Sequence, residues 1–113
     1  MKIFYNPRCS KCRETLKLIE SKGKTAEIID YLNQPPSIET LKNIVGLLGI
    51  KPSDLIRKSE PIYVANYKGK HLSEDSWLEV MSKHPQLIER PIVIDGNRAV
   101  IGRPPEKVII LLE

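Results

Sequence analysis

At 113 residues with a formal net charge of +4, the chain is sized for one compact domain that builds a hydrophobic core without disulfide staples. No apolar run is long enough to cross a bilayer, and the start MKIFYN lacks the apolar segment and small-residue cleavage site of a secretion signal, so a cytoplasmic protein without a membrane role is expected. The 18 Lys and Arg residues are scattered and no aromatic-basic signature accompanies them, which argues against a nucleic-acid platform and leaves room for a small anion.

Lys2 to Tyr5 is a short β-rich segment, and Asn6-Pro7 ends it as a turn. From about Cys9 to Lys22 the apolar positions Cys12, Leu16 and Ile19 share one helical face, Lys and Glu hold the others, and Gly23 closes the run. Ala26 to Leu32, carrying Ile28 and Ile29, reads as a second strand, so the first three elements form a βαβ unit with parallel strands. Ser37 is an N-cap for a helix bearing Ile38, Leu41, Val45 and Leu48, with Gly49 at its end. A shorter helix starts at Pro52-Ser53-Asp54 and reaches about Arg57. Ser73, Glu74 and Asp75 open another that carries Trp77, Leu78 and Met81 and stops at Pro85. Residues 37 to 84 are thus a mainly helical insertion. Pro91 to Ile94 and Arg98 to Ile101 flank Asp95-Gly96 as a hairpin. Prolines at 104 and 105, followed by Glu106, then open a closing helix with Val108, Ile109 and Leu112. This order is that of an α/β, thioredoxin-like fold with a mixed four-stranded sheet and an enlarged helical insertion, one domain over 1–113.

The only two cysteines, Cys9 and Cys12, stand three positions apart. They are too close to staple a fold, and in a reducing compartment a lone Cys-x-x-Cys is more often catalytic or metal-binding than structural. Cys9 falls where a strand gives way to a helix, so unsatisfied N–H groups and the positive end of the helix dipole favour its thiolate, with Arg8, Lys11 and Arg13 nearby. Cys12, one turn later and more buried, is positioned to resolve a Cys9 intermediate or to close an internal disulfide. Zinc would need two more ligands, and His71 and His84, separated by a helix, form no ligand pair; no metal is expected. A phosphatase-type loop would need an arginine six positions after the nucleophile, where Thr15 stands. Any bound anion is therefore held by residues from elsewhere, and Arg57, Arg90 and Arg103, each at an element boundary, present the planar paired donors that suit a tetrahedral oxyanion. The Arg90-Pro91 bond, at the entry to a strand, is a candidate cis peptide.

Four ordered segments, "NPRCSKCRETL", "DLIRKSEPIY", "LIERPIVI" and "IGRPPEKV", resemble the glutaredoxin-linked arsenate reductase family over nearly the whole chain, and its small uncharacterised members most closely. The resemblance implies an enzyme in which Cys9 attacks arsenate while Arg57, Arg90 and Arg103 bind the oxyanion. It implies no bound cofactor, glutathione as co-substrate and glutaredoxin as partner; thioredoxin is the other partner expected, and the chain is expected to be a monomer. Two positions depart from the family pattern. Tyr5 stands where reductases often carry histidine, and Cys12 stands where they usually have no cysteine. Cys-x-x-Cys is similar to a sister family, the Spx-like redox-sensing regulators that bind RNA polymerase, and a general thiol-disulfide oxidoreductase is the remaining alternative.

Overall fold

Strand β1 (Lys2–Phe4) is the hub of a four-stranded sheet of order β2-β1-β3-β4. It pairs in parallel with β2 (Glu27–Ile29) and antiparallel with β3 (Ile92–Asp95), which pairs antiparallel with β4 (Arg98–Ile101). The sheet is therefore mixed, and the class is the thioredoxin-like α/β arrangement expected from the sequence. The computed structural model describes residues 1–113, which divide into two compact units: Met1–Asn33 together with Arg90–Glu113, and Gln34–Glu89. No helix is long and apolar enough to cross a membrane.

In the first unit, helix α1 (Ser10–Ser21) joins the two parallel strands. Because side chains alternate across a strand, Ile3 and Val93, cross-strand partners in β1 and β3, turn to the same face. There they pack with Ile19 of α1 and with Val108 and Leu111 of the closing segment to form a buried cluster. The opposite alternation buries Phe4 and Ile92, and the Phe4 ring stacks on Tyr31 with centroids 6.0 Å apart. Strand β2 is shorter than expected, ending at Ile29, and as an edge strand it leaves Ile28 exposed. The hairpin loop is Gly96-Asn97, one residue later than the Asp95-Gly96 signal suggests: Asp95 pairs with Arg98, and Gly96 takes φ 62° in the first loop position.

The closing segment is a 3-10 helix, Pro105–Leu111, rather than the expected α-helix. Its buried residues, Pro105, Val108 and Leu111, recur every three positions, the repeat that brings side chains into line in a 3-10 helix. The 3.6-residue pattern of Val108, Ile109 and Leu112 does not define its inner face.

The second unit packs α2 (Ile38–Leu48), α3 (Pro61–Asn66), α4 (Glu74–Lys83) and two short 3-10 turns, Pro52–Leu55 and Pro85–Leu87. Ser37 caps α2 by accepting from the Thr40 N–H, and Gly49 ends it in the left-handed region at φ 68°. Ser73 likewise caps α4 through the Ser76 N–H. The Glu74 carboxylate then accepts from both the backbone N–H and the hydroxyl of Ser53, tying the first 3-10 turn to α4. Helix α3 was not foreseen. Its six residues, PIYVAN, include β-formers and are too few to display a helical period, although Pro61 at its first position is a start signal.

Candidate active site

The geometry around Cys9 begins with a local turn. Asn6, Pro7, Arg8 and Cys9 close a β-turn in which the Cys9 N–H donates to the Asn6 carbonyl at 2.9 Å. Proline in the second position fixes φ, and the Asn6 side-chain oxygen accepts from the Arg8 N–H at 3.0 Å, the intra-turn bond that asparagine is suited to make. Arg13, from the first turn of α1, donates to the Pro7 carbonyl at 2.7 Å and pins the loop from the helix side. The sequence marked Asn6-Pro7 as a turn without revealing these two clamps.

This turn delivers Cys9 to the N-cap of α1, with extended backbone at φ −93° and ψ 118°. Both cysteines are free, Cys9 being 7% exposed and Cys12 fully buried. The segments on either side of the β3–β4 hairpin supply the cations. Arg103 Nε donates to the Arg90 carbonyl at 2.6 Å, which fixes the guanidinium so that its Nη2 lies 3.5 Å from Cys9 Sγ. Arg90 also directs its side chain to Cys9. The Arg90-Pro91 and Arg103-Pro104 peptides are both cis, where only the first was a candidate from sequence.

These surroundings split the two thiols. Burial works to raise the Cys9 pKa, yet the Cys12 N–H, the Cys12 thiol, Arg90 and Arg103 together outweigh it and hold Cys9 below the usual thiol range. Cys12 moves the other way. Burial, assisted by the thiol–thiolate contact and the negative charge of Cys9, pushes it up to about 12 against the opposing pull of the Asn6 backbone and Arg90. The site thus sets a thiol of lowered pKa beside a thiol of raised pKa, with two guanidinium groups acting on the first.

Packing behind the site uses a residue pair that the sequence did not single out. Thr15, rather than Leu16, is the fully buried position between Cys12 and Ile19 on α1. It meets Gly102, where a Cβ would stand 2.7 Å from Thr15 Oγ1 and 2.8 Å from Pro91 Cγ. Only glycine lets the end of β4 come this close, and the Gly102 N–H donates to the Pro91 carbonyl at 2.9 Å. Arg103 follows directly, so this contact sets where its side chain begins.

Cys9, Cys12, Arg90 and Arg103 therefore share the first unit, whereas Arg57 belongs to the second. There an isolated antiparallel bridge between Ile56 and Ile88 sets Arg57 beside Glu89. Its guanidinium donates to Glu60 at 3.2 Å and to Glu89 at 3.3 Å. No cluster of three or more His, Cys, Asp or Glu side chains is arranged to hold a metal ion.

The chain is similar to known proteins over nearly its whole length. An arsenate reductase from Haemophilus influenzae is 43% identical over 112 residues, covering 97% of this chain and 97% of the relative. The uncharacterized protein YfgD of Escherichia coli K12 is 41% identical over 111 residues, covering 96% and 93%. The solved structure of an arsenate reductase from Vibrio cholerae superposes with a TM-score of 0.91 at 42% identity, covering 96% of this chain and 94% of that one. The ArsC family model matches residues 4–110, and with near-complete coverage at this identity the chain belongs to the ArsC family.

Proposed function

We propose that this protein is an arsenate-reductase-like thiol oxidoreductase that converts arsenate to arsenite with Cys9 as nucleophile. The observation that carries the reading is the guanidinium of Arg103 held 3.5 Å from Cys9 Sγ by its bond to the Arg90 carbonyl, with Arg90 directed to the same sulfur. A free thiol with a pKa of about 8.5 is only about 3% ionised at pH 7, so cations that lower it raise the share of nucleophile directly. The same cations suit the substrate, because arginine meets oxyanions with paired donors and charge-assisted bonds are the stronger ones. Tyr5 in place of histidine is consistent with this, since the helix terminus and the two arginines are available to activate the thiolate.

In the proposed reaction Cys9 Sγ attacks arsenic and water leaves, giving a Cys9–S–As(V) adduct. A second thiol then attacks Cys9 Sγ. An S–S bond forms, the S–As bond breaks with its electron pair remaining on arsenic, and As(V) departs as arsenite, As(III). The electrons come ultimately from glutathione with glutaredoxin, or from thioredoxin, and no prosthetic group takes part. The binding role is proposed for Arg90 and Arg103; Arg57 has its own carboxylate partners in the second unit.

Arsenite formation by the purified protein, supplied in turn with glutathione plus glutaredoxin and with thioredoxin, tests the reading. The wild type turns over with at least one reductant, Cys9→Ser falls to the background rate, and Arg103→Ala loses roughly 10- to 100-fold in kcat/KM, the scale of one charge-assisted contact. Equal rates for wild type and Cys9→Ser with every reductant would overturn it.

A further inference from the structure

We propose that Cys12 supplies the second thiol, so that this chain reduces its substrate through an internal Cys9–Cys12 disulfide and needs an external thiol only to reopen that bond. The inference rests on the arsenate reading above and deepens it by naming the resolving group and the class of reductant.

Three observations converge on Cys12. First, position: with Cys9 at the N-cap, Cys12 is the third helical residue, the place toward which an N-cap side chain leans when its backbone is extended. The two thiols act on one another: the Cys12 thiol favours the Cys9 thiolate, and the Cys9 thiolate disfavours loss of the Cys12 proton. Second, access: Cys12 is fully buried, so it is closed to thiols from solution, while Cys9 retains only 7% exposure. A donor already inside the site has an advantage over one that must enter it. Well-oriented intramolecular groups act at effective concentrations of about 10⁵ M or more at the upper end, far above millimolar glutathione. Third, charge: at rest the negative Cys9 sulfur is one of the influences that keep Cys12 protonated, and forming the adduct consumes that charge. What remains near Cys12 then includes the favourable Asn6 backbone and Arg90. Cys12 is thus restrained until Cys9 has reacted.

The step balances. Cys12 Sγ bonds to Cys9 Sγ, the S–As bond breaks toward arsenic, and the Cys12 proton ends on the departing arsenite. The dithiol loses two electrons and arsenate gains two. A protein dithiol of the thioredoxin class, or glutathione with glutaredoxin, then attacks the more exposed sulfur, Cys9, and restores both thiols.

The experiment uses the fully reduced, full-length protein with no added thiol, quenched in acid and mapped by mass spectrometry. One arm receives arsenate and a second receives glutathione disulfide, which loads Cys9 as a mixed disulfide without any arsenic. Wild type is expected to yield one arsenite per chain and a Cys9–Cys12 disulfide with arsenate, and to eject glutathione and form the same disulfide in the second arm. Cys12→Ser, and Cys12→Ala as a second variant checked for native circular dichroism, should yield no arsenite without added thiol. In the second arm both should retain the glutathione adduct at least roughly 100-fold longer than wild type. If wild type reduces arsenate only when thiol is added, at the rate of the Cys12 variants, and also retains bound glutathione, the inference is overturned while the arsenate reading stands. If arsenate leaves Cys9 untouched but glutathione disulfide gives the internal bond, the arsenate reading fails and the resolving role of Cys12 survives.

Discussion

Cys9 and Cys12 share one helix, one turn apart, yet their neighbours drive them in opposite directions. At Cys9 two guanidinium groups and the Cys12 N–H and thiol overcome the cost of burying charge. At Cys12 burial dominates, and the thiol is pushed up to about 12. The sign of the pH dependence follows. A lowered pKa means that at a given pH a larger share of Cys9 is thiolate than of an ordinary thiol, whose pKa is about 8.5. Iodoacetamide should accordingly label Cys9 rapidly near neutral pH and level off below the ordinary thiol range. Cys12 should remain unlabelled in the folded chain even at pH about 9, since its own titration lies near 12. Peptide mapping after timed labelling measures both residues at once, and equal rates for the two would contradict the assignment. Lysine would be a poor replacement for Arg103, because its single ammonium lacks the planar fork with which Arg103 meets the Arg90 carbonyl and Cys9 together.

At the scale of elements, the approach of β4 to α1 is set by Gly102 against Thr15. Gly102→Ala would force its Cβ to 2.7 Å from Thr15 Oγ1 and 2.8 Å from Pro91 Cγ. Such overpacking costs about 1–3 kcal/mol, and because Arg103 is the next residue the variant should also lose activity. Thr15 offers the converse change. Its hydroxyl is buried without a hydrogen-bond partner, so Thr15→Val should raise stability by about 1 kcal/mol. Urea denaturation checks both, as a lower midpoint for Gly102→Ala and a higher one for Thr15→Val. The same elements show what the sequence made legible. Ser37, Gly49 and Ser73 act locally through their own backbone neighbours, and they predicted the ends of α2 and the start of α4 correctly. Helix α3 escaped because six residues cannot display a period, and the closing 3-10 helix was read with a 3.6-residue spacing where burial follows three.

At the scale of the whole molecule, the order of elements and the turn chemistry sufficed to anticipate the mixed sheet and its thioredoxin-like class. The Cys-x-x-Cys at a strand-to-helix junction marked Cys9 and Cys12 as candidates. Pairings distant along the chain were not legible from local chemistry, and Arg103 was placed with Cys9 only by its element-boundary position and the family resemblance. Arg57 with Glu89 spans 32 positions and Arg103 with Cys9 spans 94, and nothing local in either sequence segment reports the partner. Arg90 and Arg103 belong to the unit that holds Cys9, and Arg57 pairs with Glu60 and Glu89 within the second unit.

The central claim is that the Cys9 thiolate faces an oxyanion site built by Arg90 and Arg103. Its most direct test is the rate of Cys9 alkylation as arsenate is titrated into the thiol-free, reduced Cys12→Ser protein, in which no internal disulfide can form, with Arg103→Ala, Arg90→Ala and both together added to that background. The account predicts saturable protection of Cys9 in the Cys12→Ser protein, weakened roughly 10-fold or more when either arginine is replaced. Alkylation of Cys9 in that protein that is indifferent to arsenate, or protection that survives loss of both arginines, would contradict it.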